Sequence, residues 1–268
     1  MPLQTGFALS ALEYDLVWND LGLGAMRYPL EVPSNGRTMA ERDEMRASVA
    51  PALAERGLLN GGRVSADLED CLRVLSAPQV VVDLLGFSKR PLRAAVAAAA
   101  NGDGVLGILE GNRLVLRPIR DTALVASIVS VVPALPAGPG QSMSIPFDAM
   151  SKAALAPDDN DDFGDDPFGS GDDRTETDVL VRLGVSYSDA SALTELANSR
   201  IGGGQFGVQV AGRRGGRMRR AESMVTWFDT PRGRYLMFSD GSWVSLAPAG
   251  PDRIAWRIEQ TMQELQAD

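Results

Sequence analysis

Histidine is absent from this chain, and cysteine occurs once in 268 residues. Without histidine, Ser-His-Asp and Cys-His catalysis are impossible within the chain. Zinc sites built from Cys and His are excluded by the same count. A single cysteine rules out an internal disulfide framework, which suits a reducing compartment. Long apolar runs are missing too. The longest, around residues 92–100, is too short or too interrupted to span a bilayer. The N-terminal stretch MPLQTGFALSALEYD has neither the basic n-region nor the apolar h-region of a secretory signal. The expected location is the cytoplasm. No P-loop signature occurs. Lysine is scarce and arginine supplies nearly all the positive charge, which together with abundant alanine reads as coding bias.

What is present is the composition of a globular protein, 44% hydrophobic and long enough to bury a sizeable core. The net charge of −9 is mostly local. Residues 158–173 hold eight aspartates and no basic residue, and the rest of the chain is close to neutral. So much like charge with so few apolar groups cannot offset its ordering entropy, so a disordered linker over about 157–173 is expected. The run lacks the spaced ligands, central glycine and closing glutamate of a calcium loop. Bulk acidity argues against nucleic acid as the main ligand.

The C-terminal block, residues 224–265, reads as three strands joined by tight turns and closed by a helix. Its turns, Asp229-Thr-Pro-Arg-Gly233 and Ser239-Asp-Gly-Ser242, carry hairpin chemistry. Upstream, Ser10 with Glu13 and Thr38 with Glu41 form two capping boxes. They predict helices over 11–21 and up to residue 56, the second kinked or split at Pro51. Ser65 is the expected cap of a third helix ending near residue 76. Strands are expected over 80–87, 92–99, 105–109 and 114–119, then a helix to about 132. The pattern recurs with helices over 175–183 and 189–198, strands over 205–211, 217–228, 234–238 and 242–247, and a last helix over 252–265. Hairpin-linked strands favour an α+β fold with a mainly antiparallel central sheet flanked by helical bundles. The repeated order implies one domain of two similar halves, 1–140 and 174–268, in a pseudo-two-fold arrangement.

Few residues offer chemistry. Cys71 falls with Leu68, Leu72 and Leu75 on one helical face and reads as a small hydrophobe. Gly202, Gly204 and Gly207 satisfy a formal GxGxxG, but a helix precedes it and a strand follows, the reverse of a dinucleotide site. Those glycines are expected to end the 189–198 helix and allow a turn. Arg213, Arg214, Arg217, Arg219 and Arg220 form a basic cluster. It reads as a solvated, flexible hairpin tip, since no aromatics interleave as single-strand binders require. The alternative is an anion- or nucleic-acid-binding module using that cluster. Trp18, Trp227, Trp243 and Trp256 are each expected in the core. Glu69 and Asp70 are adjacent on a helix and do not face each other. No cofactor or metal ligand set is present, and any enzyme would have to work through Asp, Glu, Ser, Tyr or Arg.

Five segments carry a resemblance to a known family. They are the early helix before Gly22-Leu-Gly24, ERDEMRASVAPALAERGLL (41–59), VSADLEDCLRVLSAP (64–78), RLGVSYSDASA (182–192) and the block 227–248. In order and coverage they resemble the EspG family of actinobacterial type VII (ESX) secretion. That resemblance implies a cytosolic chaperone, not an enzyme, that binds a PE–PPE heterodimer through the hydrophobic tip of the PPE subunit. It implies no cofactor, no nucleic acid and no membrane insertion, with a monomer or weak dimer when free. The family places its partner against the sheet and the C-terminal helices. Here that maps to Leu180, Leu183, Tyr187, Leu193 and Leu196, to Gln205, Phe206, Val208, Gln209 and Val210, and to Met224 and Thr226. The aspartate-rich insert and short N-terminus depart from the family pattern.

Overall fold

The computed structural model describes residues 6–88, 93–154, 173–212 and 216–267. Strand β1 (Phe7–Ser10) leads directly into helix α1 (Ala11–Asp20). Both capping boxes form. The Ser10 amide donates to Glu13 at 2.7 Å, and the Glu13 amide donates to the Ser10 hydroxyl at 3.2 Å. Thr38 and Glu41 repeat the exchange at 3.3 and 3.2 Å at the start of α2 (Met39–Glu55). Pro51 does not split α2, which runs through it as one helix. A two-strand ribbon, β2 (Leu59–Asn60) with β3 (Arg63–Val64), precedes α3 (Ala66–Ser76). Ser65 stands at the N-cap of α3, but its hydroxyl accepts no bond there and is buried without a partner.

A four-stranded meander follows: β4 (Val80–Ser88), β5 (Arg93–Ala100), β6 (Asp103–Glu110) and β7 (Arg113–Arg120). A 3-10 turn (Asp121–Ala123) opens α4 (Leu124–Val129). Strand β8 (Met143–Pro146) and α5 (Phe147–Ala154) then appear in a stretch for which the sequence predicts no element. Four strand residues ending in proline are too few for a periodic signal. The aspartate run lies outside the described residues, apart from Asp173, which begins α6 (Asp173–Arg182). Helix α7 (Tyr187–Asn198) begins at the Ser186 cap, two residues before the predicted start.

The second meander is β9 (Gly202–Gly212), β10 (Gly216–Arg220), β11 (Val225–Thr230), β12 (Gly233–Ser239) and β13 (Trp243–Pro248), closed by α8 (Pro251–Ala267). The single strand expected over 217–228 is two. β10 and β11 share one edge of β9, with a break at 221–224. The glycines of the GxGxxG lie within β9 and not in a turn before it, so that expectation is also corrected.

Eleven strands form one sheet, every named pair antiparallel, in the order β1-β7-β6-β5-β4-β9-β11-β12-β13-β8, with β10 beside β9. Each edge is a short strand that precedes the helices of its own half. The two meanders meet at the long β4·β9 pair, from Val80↔Val210 to Ser88↔Gly202. Because β8 pairs with β13, residues 143–154 go with the second meander.

Three apolar clusters fix the layers. On one face α4 and α8 cover the sheet, through Leu124, Ile128, Ile254 and Ile258 against Val82, Ala97, Phe206, Val208 and Trp227. On the other face α1, α2 and α3 pack on the first meander through Tyr14, Trp18, Leu53, Leu68 and Leu72. On that same face α5, α6 and α7 pack on the second through Ala149, Leu180, Ala190 and Leu193. Trp18 and Trp227 are core as expected, but Trp243 and Trp256 are about half exposed.

Candidate partner-binding strip

On the face that carries α1–α3 and α5–α7, side chains of alternate residues point outward from β4 and β9. Register assigns them. Val81 pairs with Gln209, Asp83 with Gly207, Leu85 with Gln205, and Phe87 with Gly203. Arg220 stands opposite Gln209, and Thr226 opposite Gln205. Leu85, Phe87, Gln205, Gln209 and Thr226 are only half-buried, although they sit in the middle of an eleven-stranded sheet. The helical layers lie over the outer strands on either side and leave this central strip open. It mixes apolar groups with uncharged amides and a hydroxyl.

One ion pair crosses the strip. The Arg220 guanidinium donates from its two Nη atoms to Asp83 Oδ2 at 2.7 Å and Oδ1 at 3.0 Å. Gln209 Nε2 donates to the same Oδ2 at 3.3 Å. Asp83 is 3% exposed, while the Arg220 side chain is 38% exposed. The hydrogen bonds to Asp83 raise the Arg220 pKa above its ordinary value, so the guanidinium stays charged. Gly207 makes the crossing possible, because a Cβ there would stand 2.1 Å from Arg220 Nη2 and 2.6 Å from Asp83 Oδ1.

Two further arginines border the strip. Arg27 donates from Nε to the Leu75 carbonyl at 3.0 Å and from Nη2 to that of Ser76 at 3.3 Å, closing the C-terminal end of α3. Arg200, just after α7, lies 5.5 Å from the Phe87 ring centroid. Tyr28, beside Arg27, is half exposed and within electrostatic reach of Arg220.

The twelve residues expected at the partner surface divide three ways. Gln205, Gln209 and Thr226 lie on the open strip, and Met224, 42% exposed, stands at its border just before β11. Phe206, Val208 and Val210 face the other way, and Phe206 and Val208 are sealed under α8. Leu180 and Leu193 are buried, and Leu183 and Leu196 half-buried, among Ile145, Phe228, Tyr235 and Leu246. Tyr187 is 70% exposed at the start of α7. The β9 alternation was read correctly, but its apolar face is the protein's own core.

Asp83, Leu85, Phe87, Arg27 and Arg200 are not among the expected partner residues, and Arg220 enters the sequence analysis only as part of the basic cluster. Asp83 was the visible signal: a lone carboxylate in VVVDLL, an apolar strand, requires a partner if buried. The basic cluster also changes meaning. Arg213 and Arg214 lie outside the described residues. Arg219 donates to the Leu265 carbonyl of α8 and Arg220 to Asp83, so these two are structural anchors, not a solvated tip. Among the described residues no group of His, Cys, Asp and Glu could hold a metal ion. No described helix is long and apolar enough to cross a membrane.

No curated protein matches the chain. Among solved structures, it is similar to the Mycobacterium tuberculosis type VII secretion system chaperone EspG5, determined in complex with the PE25–PPE41 dimer. The TM-score is 0.74 over 96% of both chains at 14% identity, a likeness of fold. The EspG family model matches residues 10–260, nearly the whole of the sheet and its helical layers, and on that match the chain belongs to the EspG family.

Proposed function

We propose that this protein is a cytosolic chaperone of type VII (ESX) secretion that binds a PE–PPE heterodimer through the PPE subunit. The protein keeps the pair soluble and directs it to the secretion machine. The observation that carries this reading is the family match across residues 10–260. The solved relative, a chaperone held in complex with a PE–PPE dimer, supports it.

The strip over β4 and β9 is the proposed seat of the partner. A chaperone of an apolar helical tip needs a surface that buries apolar area without being sticky when empty. A floor of half-buried Leu85 and Phe87 among Gln205, Gln209 and Thr226 has that balance. Met224 extends the surface toward β11. Binding alone is required, so no cofactor and no turnover enter the reading. The free protein is a monomer or weak dimer. The strand order, with each short edge strand leading its own half, supports two halves related by a pseudo-two-fold at β4·β9. The nucleic-acid alternative loses ground because Arg219 and Arg220 are engaged within the protein.

The test is co-expression with a PE–PPE pair encoded beside this chain's gene, followed by size-exclusion chromatography with light scattering. One peak at the mass of a 1:1:1 complex is expected. Failure of every neighbouring pair to form a complex would overturn the reading.

A further inference from the structure

A buried carboxylate in the centre of a partner surface needs an explanation, because Asp83 could be replaced by an apolar residue at little cost to the fold. Its effect is to hold one guanidinium in a fixed place. Arg220 reaches from β10 across β9 to β4, and Asp83 takes one N–H from each Nη. A guanidinium carries five N–H donors in a planar fork. Among the described residues Asp83 is the one side-chain acceptor that Arg220 reaches, so the Nε–H edge of the fork is left for another acceptor. The side chain is 38% exposed and lies on the same face as Gln205 and Gln209.

Arg27, Arg200 and Arg220 border the strip, and among the described residues on its floor Asp83 is the one carboxylate. A purely apolar occupant would strip water from the exposed part of Arg220 and give nothing back. A carboxylate approaching the Nε–H edge would complete the fork with a charge-assisted, side-on pair.

We propose that Arg220, held by Asp83, is the specificity-determining cation of the strip, and that the partner segment seated there carries one Asp or Glu side chain within an otherwise apolar tip. The inference rests on the strip being the seat of the PE–PPE partner. It adds a chemical requirement that apolar burial alone does not make. Gly207 belongs to the same device, since any side chain there would displace the fork.

The test uses the full-length chain and the co-expressed PE–PPE heterodimer, with affinity measured by calorimetry over a series of salt concentrations. Four chains are compared: wild type, Arg220→Gln with Asp83→Asn, Arg220→Lys, and Leu85→Asp. The double variant removes both charges, so no buried carboxylate is stranded and the fold is retained. It should bind about ten- to hundredfold more weakly and lose most of the salt dependence. Arg220→Lys should weaken binding as well, because a lysine lacks the second edge. Substituting the partner's tip carboxylates one at a time should show coupling to Arg220 at a single position. If the double variant binds within twofold of wild type while Leu85→Asp abolishes binding, the arginine proposal is overturned and the strip stands. If Leu85→Asp also binds normally, the strip is the wrong surface and the proposal falls with it; if wild type forms no complex, the chaperone reading itself is overturned.

Discussion

Arg220 lies across Gly207, so close that a Cβ at Gly207 would stand 2.1 Å from Nη2. The glycine is required by space, not by backbone conformation. Gly207→Ala should therefore push the guanidinium off Asp83 and strand a buried carboxylate. A loss of about 1–3 kcal/mol is expected in urea unfolding. Adding Asp83→Ala should restore much of it, because no buried carboxylate is then left unpaired and the partly exposed Arg220 can turn to water. An unchanged midpoint in Gly207→Ala would mean that the fork has room to shift.

Arg234 should be the most costly side chain to remove. It is fully buried, bonded to Asp229 at 2.6 and 2.9 Å and to the Pro133 carbonyl at 2.9 Å, and stacked 4.5 Å from the Trp227 ring. Its own backbone also holds the connection between the halves, through Pro136 and Gly138. Arg234→Ala leaves Asp229 without its cation, and about 3–5 kcal/mol should be lost. A shift below 1 kcal/mol in denaturant titration would contradict this.

Leu85 and Phe206 lie one register position apart across the β4·β9 pair and point to opposite faces of the sheet. Phe206 pairs with Leu84 beneath α8, while Leu85 is half-buried on the strip. Phe206→Asp puts a carboxylate into the core and should cost more than about 4 kcal/mol, enough to abolish the folded circular dichroism spectrum. Leu85→Asp should keep that spectrum and lose the heterodimer. Loss of fold in both would place Leu85 in the core.

Cys71 should resist thiol reagents in the native protein. Burial, aided by Asp70, Asp67 and Asp103, pushes its thiol up to about 12. The thiolate is the reactive form, so labelling at pH 8 should be slow until denaturant is added. The sign for stability follows. Above a pH of about 8.5 the unfolded thiol ionises while the folded one stays protonated, so this group disfavours folding as pH rises. Rapid stoichiometric labelling of the folded chain would show the thiol to be accessible.

Much of the local structure was legible because its causes are local. The two capping boxes need only residues three apart, and both form as read. The tight turns near Pro231 and Gly241 set their hairpins from within a few residues. Errors came where a signal was weak or shared. The stretch 217–228, RMRRAESMVTWF, holds no proline or glycine to mark the break at 221–224 that divides β10 from β11. The four residues of β8 gain their strand conformation from β13, a hundred residues away.

The sequence by itself determined the chemistry this protein lacks, the alternation along β9, and the order of most of the longer strands and helices, because composition and short-range periodicity carry those. It could not decide which face of β9 is free. Alternation divides Phe206, Val208 and Val210 from Gln205 and Gln209, but only the packing of α8 buries the first set and leaves the second in the open strip. Nor could it join Arg220 to Asp83, 137 positions apart. That pair exists because β4 and β9 meet at the centre of the sheet, and a long-range pairing of two strands is written in neither strand alone.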